Sequence, residues 1–339
     1  MNRWFDIRNK KLIAVLATVL LSACSAIDDD LSDCGVDYEL QYELQLVTNM
    51  ELELETQLTT QVETSVAAAL REHLKDIFSD FAHDIDLSFY DVDEQLGRLS
   101  HEQHVMNDNE KSYTLYLPMR EYRHLALANL QQNSWVTLTG EEHSNTMMLQ
   151  QVQNEPVQSH QTGIFAARTN MDVLENQSQT FHVNLYMVNC AAVLLLESRG
   201  HDAKDVSVVS TGFATGYNVD ENTYTFSDNP PLVNADRVGV DEPSVLCYCT
   251  VTFPSFETPN PSFASSSGEE VYWQFRVYVN NGDNIVETVM NIKEPLKAGE
   301  LRIIKGYIDS DGVVRTEDPK VGVSVTLDWG DGGEYEWEM

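Results

Sequence analysis

Apolar side chains recur at every second position along most of this chain, the period that turns one face of a β-strand into a core. Tyr38, Leu40, Tyr42, Leu44 and Leu46 alternate with polar residues and predict a half-buried strand. Ile85-Asp86-Leu87-Ser88-Phe89 and Tyr113-Thr114-Leu115-Tyr116-Leu117 repeat the pattern, the latter closed by Pro118. Leu125 to Leu130 and Trp135 to Leu138 read as further strands. Later, Phe181, Val183, Leu185 and Met187 alternate with His182, Asn184 and Tyr186, and Val321, Val323, Val325, Leu327 and Trp329 alternate strictly. Ala191 to Leu196 is apolar without a break, as expected of a central strand covered on both faces.

One segment has the helical period instead. Thr60-Gln61-Val62-Glu63 is a capping-box sequence, in which the Thr hydroxyl and the Glu carboxylate each satisfy an amide at a helix start. Val62, Val66, Leu70, Leu74, Ile77 and Phe81 follow at spacings of three and four, one apolar stripe that predicts a helix packed on a sheet. Val271 to Val279 and Ile285 to Met290 flank Asn280-Asn281-Gly282-Asp283, the strongest local signal for a hairpin. Leu301 to Ile308, Asp309-Ser310-Asp311-Gly312 and Val313-Val314 predict another, and Pro-rich loops lie around Pro230-Pro231 and from Pro254 to Pro261. The stretch from Glu141 to Thr162 is polar and weakly patterned, so it is expected to be loops ahead of a domain boundary. The expected plan is mainly β: two tandem β-sandwich domains, 37–162 and 163–339, with one helix in the first.

The start of the chain is different. Arg3, Arg8, Lys10 and Lys11 precede an apolar run from Leu12 to Leu21, broken by Thr18. A bilayer span needs roughly 20 apolar residues, so this is read as a removable signal, residues 1–23. Leu21-Ser22-Ala23-Cys24 matches the bacterial lipobox, which predicts cleavage after Ala23 and lipid on Cys24. Several acyl chains make a durable anchor, since each buried methylene contributes about 0.8 kcal/mol. Residues 24–36 read as an acidic tether containing Asp28, Asp29 and Asp30. From Cys24 to Leu70 there is no Lys or Arg, against eleven Asp and Glu.

Charge narrows the functions. The chain has 21 Lys and Arg against 54 Asp and Glu, a net charge of −33. Such a surface repels phosphate backbones and anionic headgroups, which excludes nucleic acid as a partner and leaves the lipid as the membrane attachment. Besides Cys24 there are Cys34, Cys190, Cys247 and Cys249, expected in an exported protein to be disulfides or buried thiols, with the connectivity open. Cys247-Tyr-Cys249 places two thiols on one strand face, and no second pair makes it a metal site. His101-Glu102-Gln103-His104 is one residue short of a zinc helix and is read as a solvated loop. Asp309-Ser310-Asp311-Gly312 lacks the closing Glu of a calcium loop and is read as a hairpin turn. No nucleophile motif, P-loop or dinucleotide fingerprint occurs, so neither enzymatic chemistry, a cofactor nor a small-molecule substrate is expected. Trp273, Trp329 and Trp337 are either core or an aromatic platform for a glycan, with core packing favoured.

Several of these features combine. The lipobox Cys24 precedes Asp28-Asp29-Asp30-Leu31-Ser32-Asp33-Cys34, then a strand, the helix and the segment Asp86 to Asp93. The tail Leu296-Lys297-Ala298-Gly299-Glu300-Leu301-Arg302-Ile303-Ile304-Lys305-Gly306 leads to Val321 through Trp329. Together they resemble the FimB/Mfa2 family of fimbrial anchor lipoproteins of Bacteroidales. The resemblance implies transthyretin-like sandwiches and an outer-membrane lipoprotein facing outward at the base of a fimbrium. There it would bind stalk subunits, anchor the fibre and limit its length, with Asp28, Asp29 and Asp30 as the surface-export signal. Two other readings stand beside it. A polymerising stalk or tip fimbrillin would lose its lipidated end and first strand to an arginine-specific or trypsin-like protease, and the run without basic residues argues against that. A surface glycan-binding lipoprotein would share the sandwich architecture.

Overall fold

The computed structural model describes residues 36–78, 81–92, 97–107, 110–153, 156–175, 177–199, 206–263, 270–280, 284–328 and 334–336. The first half holds β1 (Asp37–Val47), α1 (Met50–Gln57), α2 (Gln61–His73), β2 (Asp84–Asp91), β3 (Arg98–Val105), β4 (Ser112–Pro118), β5 (Glu121–Ala128), β6 (Val136–Thr139), β7 (Met148–Gln151), β8 (Phe165–Asp172) and β9 (Gln179–Met187). The second holds β10 (Cys190–Ser198), β11 (Val206–Thr211), β12 (Gly216–Asn218), β13 (Thr223–Thr225), β14 (Val233–Asn234), β15 (Asp236–Val238), β16 (Val245–Thr252), β17 (Trp273–Asn280), β18 (Ile285–Ile292), β19 (Leu301–Ile308), β20 (Val314–Arg315), β21 (Val321–Asp328) and β22 (Glu334–Glu336).

These strands form four sheets. The first has seven strands in the order β3-β2-β5-β8-β9-β1-β4. The second, β15-β16-β10-β19-β20, packs face to face on the third, β14-β11-β17-β18-β21-β22. The fourth, β13-β12-β7-β6, takes strands from both halves. Each half opens with a strand seated the same way: β1 is antiparallel to β4 and parallel to β9, and β10 is antiparallel to β16 and parallel to β19. The architecture is mainly β in two successive halves, as the alternation predicts.

The expected boundary at 162/163 falls inside the first sheet. β8 pairs with β5 along its whole length and β9 with β1, so the chain changes halves at Val188 and Asn189. The change from polar to apolar residues near 163 marks a loop entering the sheet, not a change of domain. Within the polar stretch itself lies β7, an antiparallel partner of β6 and β12. The His101–His104 segment is likewise strand, the edge strand β3, and its alternating polar side chains cover Asp86 of β2.

Three cores hold the layers together. The largest joins Leu40, Tyr42 and Phe89 of the first sheet to Met50, Leu54, Val66 and Leu70 of the helices, and these to Val193, Leu195, Cys249 and Ile303 on one face of the second sheet. The opposite face of that sheet, with Leu194, Leu196 and Tyr248, packs on Trp273, Phe275, Val277 and Met290. A third core covers Leu125, Leu127 and Ile164 with Val136, Met147, Leu149 and Tyr217. The unbroken apolar run of β10 follows from this: alternate residues enter two different cores. Trp273 is fully buried, so it is core and not a platform; Trp329 and Trp337 lie outside the described residues.

The capping box of α2 forms as predicted, with the Thr60 hydroxyl accepting from the Glu63 amide and the Glu63 carboxylate from the Thr60 amide. Val66, Leu70, Leu74 and Ile77 are buried, whereas Phe81 is only half-buried. A second helix, α1, runs against its sequence pattern. Its residues Met50-Glu51-Leu52-Glu53-Leu54-Glu55 alternate like a strand, and only Met50 and Leu54 are buried in it. It helps close the edge of β19 that the short β20 leaves open. The Gln57 carboxamide donates to the Leu301 carbonyl (2.7 Å) and accepts from the Ile303 amide (2.8 Å), while the Glu53 carboxylate accepts from the Leu301 amide. Side chains thus take the place of a neighbouring strand, which removes an edge open to aggregation.

Gln57→Ala should therefore cost about 1–3 kcal/mol, because a backbone donor and acceptor lose their partners. Hydrogen exchange at the Ile303 amide should accelerate in step, with the amides of β10 little changed. Equilibrium unfolding and exchange mass spectrometry check both.

Candidate assembly surface

The chemistry expected of the first 36 residues rests on Cys24, Ala23, Asp28, Asp29, Asp30 and Cys34, all outside the described residues. What the structure places is the element that follows them. β1 lies inside the first sheet, laddered to β4 from Asp37 to Glu43 and to β9 from Leu40 to Val47. Its inward side chains Leu40, Tyr42 and Leu44 are buried, and its outward ones, Glu39, Gln41, Glu43 and Gln45, are exposed.

Tyr42 ties β1 to a strand that is not its neighbour. Its hydroxyl lies 2.9 Å from Nε2 of His124 on β5, and both residues are fully buried. Nδ1 of His124 lies 3.1 Å from the Ser88 carbonyl, which can only accept, so Nδ1 carries the proton and Nε2 accepts from the tyrosine. The imidazole stacks on Phe89 at 4.4 Å and meets the Tyr42 ring edge-on. Burial pushes the Tyr42 phenol well up, and it lowers the His124 imidazole to about 4, so both stay neutral. A His alternating with Tyr122, Ala126 and Ala128 on one face of β5 is the signal that could have shown it as a core residue.

The two edges of the first sheet curl toward each other without a ladder. Tyr113 of β4 donates to Glu102 of β3 at 2.7 Å, and the ring of His104 lies 4.7 Å from that of Tyr113. Beyond this seam β4 carries exposed Tyr116, with exposed Met119 just after the strand.

On the outer face of the same sheet lies an open cleft of about 880 Å³, where the fourth sheet meets β8 and β9. β8 and β9 pair only at Phe165–Met187 and Ala166–Tyr186, although both strands run further. Asp220, in the turn after β12, pins this junction through Arg123 (3.3 Å) and Arg168 (3.2 Å). Its residues come from elements far apart in sequence, so no local pattern marks it.

Of the two states expected of the cysteines, disulfides or buried thiols, the described ones are in the second. Cys190, Cys247 and Cys249 are free and buried. Cys190 belongs to the core on one face of the second sheet and Cys247 and Cys249 to the core on the other, so the sheet separates them. Cys247 and Cys249 share a face, but two residues of strand set them about 7 Å apart, too far for a bridge. Burial raises all three thiols, Cys247 to about 12, which makes them poor nucleophiles. Among the described residues no group of three or more His, Cys, Asp or Glu could hold a metal ion, and no helix is long and apolar enough to cross a membrane.

No protein-family model matches the chain, and no curated protein matches its sequence. Solved structures do share its fold. A Bacteroides ovatus protein provisionally named an adhesin aligns with 89% of this chain and 96% of its own, at 12% identity and a TM-score of 0.53. A Bacteroides thetaiotaomicron protein provisionally named polysaccharide-binding aligns with 88% and 98%, at 9% identity and a TM-score of 0.52. The fimbrial anchor protein Mfa2 from Porphyromonas gingivalis aligns with 88% and 99%, at 9% identity and a TM-score of 0.45. At these identities the likeness is one of fold.

The Tyr42–His124 pair predicts acid lability. An unfolded histidine takes up a proton near pH 6.5, and His124 resists until about pH 4, as does His160 until about pH 3. The unfolded state thus binds more protons in between, and stability falls as pH drops from about 6.5 to 4. For His124 alone the loss is about 3 kcal/mol. Thermal unfolding between pH 7.5 and 4 should show it, and His124→Gln should be less stable at pH 7.5 with a flatter profile. Tyr42→Phe should cost about 1–3 kcal/mol by leaving Nε2 without a donor.

Proposed function

We propose that this chain is a surface lipoprotein of the outer membrane that anchors a fimbrium and ends its assembly. The observation that carries the reading is the seat of β1 together with the residues before it. β1 is an interior strand, second from one edge of its sheet and paired on both sides, and is fastened from inside by Tyr42. Between Cys24 and Leu70 there is no Lys or Arg for a trypsin-like protease to cut. The first basic residue, Arg71, sits within α2 and is paired with Glu55 at 3.0 Å. A stalk subunit needs its first strand removed to open a groove for its neighbour, a form of β-augmentation. This chain keeps both its first strand and the lipid joined to it. It is therefore a fixed end of a fibre and not a repeating unit.

The fold shared with proteins named as adhesins supports this reading, as do the lipobox and the acidic leader. The partner is the stalk subunit next to the membrane, and neither a cofactor nor a reaction is part of the proposal. The lipid on Cys24 supplies the membrane contact, since net charge −33 gives an anionic bilayer no reason to hold the protein.

Protein taken from outer membranes should have an intact mass corresponding to a chain that begins at Cys24 and carries diacylglycerol and an acyl group. Recovery of a lipid-free chain starting beyond Val47 would sink the anchor reading. Cells lacking the gene should shed their fibres into the medium, and the shed fibres should be longer than normal.

Replacing Asp28, Asp29 and Asp30 together by Ala should leave lipidation intact but turn the protein inward. Protease shaving of whole cells would then no longer remove it. Removal at the wild-type rate would show that these residues are only part of a solvated tether.

A further inference from the structure

We infer that the cleft beside β8 and β9 is a binding site for a neutral carbohydrate. The case rests on which side chains line it and what they lack. Tyr186, on the outer face of β9, is 57% exposed. Its ring stands on a rigid strand and its hydroxyl meets no other described residue. Asn184, one alternation earlier on the same face, and Glu257 and Lys297 from the opposite loops are also exposed lining residues, and their side chains bond to no described residue. Asn222 completes the set. Its backbone is in the left-handed region at φ 54°, and its Oδ1 accepts from Tyr217 at 2.8 Å, so its Nδ2 donors remain free.

The chemistry of this lining selects among ligands. An aromatic face takes the apolar C–H face of a pyranose, and planar amides match hydroxyls that both donate and accept. The charges balance. Arg168 is committed to Asp220, leaving Lys297 against Glu257. A phosphate or sulfate ligand would need an excess of free cation, and a lipid chain would need an enclosed apolar cavity; this cleft is open and mixed. It is also locally balanced on a chain of net charge −33, so a neutral, hydroxyl-rich ligand is the one that the site does not repel. The proposal is separate from the anchor reading: a lipidated end and a glycan site can each exist without the other.

The full chain, purified in detergent, should be run in native gels containing mannan, dextran, amylose, galactan or xylan. At least one polymer should retard it. Titration calorimetry with the matching oligosaccharide should then show at least a tenfold loss of affinity for Tyr186→Ala and for Asn184→Ala. Tyr186→Phe, which keeps the ring, should stay within threefold, and Tyr116→Ala, an exposed tyrosine on β4, should bind like wild type. All four substitutions lie at exposed positions, and unchanged thermal midpoints would show intact folding. The proposal is overturned if no polymer retards the wild-type chain, or if Tyr186→Ala and Asn184→Ala bind as it does. It is also overturned if only extended peptides occupy the cleft, protecting the β8 amides from hydrogen exchange.

Discussion

The first sheet depends on a strand that enters it from outside its natural order. β1 comes first in sequence but sits between β4 and β9, so its ladders cannot complete until the chain has run to Met187. Both edges of β1 are then committed, and its inner face is fixed by a hydrogen bond that no solvent reaches. Removing such a strand leaves two unpaired edges and an imidazole without its donor. Each buried polar group left in that state costs about 1–3 kcal/mol. The loss of Leu40, Tyr42 and Leu44 from the core adds several kcal/mol more. The strand is therefore an obligatory part of the fold, and whatever is joined covalently to its start is held as firmly as the sheet itself.

The second half repeats the device. β10 is seated between an antiparallel and a parallel neighbour as β1 is, but both its faces are covered, one by the helix-filled core and one by the third sheet. This difference explains their sequences. β1 keeps glutamate and glutamine on a wet face; β10 has no wet face and reads as Ala191 to Leu196 without interruption. The same burial keeps Cys190, Cys247 and Cys249 as protonated core side chains. Their solvent-excluded positions account for free thiols in a chain whose start resembles an export signal.

Period-two alternation made most strands legible, because it records burial directly. The capping box of α2 and the β17–β18 and β19–β20 hairpins were legible because their signals are local. Gly312, at φ 84°, is the residue the second turn requires, and Arg315 ties that turn together through Asp309 and Asp311. What stayed hidden was set by distant contacts. α1 has the alternation of a strand and becomes helical where Glu53 and Gln57 meet the edge of β19. β3 looks like a solvated loop because its polar residues serve Asp86 of another strand. The cleft draws its lining from β8, β9, the β12–β13 turn and two loops. Nothing in any one of those segments announces it.

The junction between the halves sets how they can move relative to each other. Domains that move relative to each other are joined by exposed, Pro- or Gly-rich linkers. Here the link is Val188-Asn189, and both residues are buried. The Asn189 carboxamide accepts from the Ile164 amide at 3.1 Å and donates to the Thr162 carbonyl at 2.9 Å, while its backbone carbonyl accepts from Gly299. The path from β1 thus runs through a parallel ladder to β9, through a pinned two-residue link to β10, and through a second parallel ladder to β19. A pull along β1 loads its two ladders in shear, so several hydrogen bonds must break together instead of one after another. The large core and the mixed fourth sheet tie the halves together on either side of that path. Among the described residues, the path from β1 to β19 therefore contains no exposed linker at which one half could swing against the other.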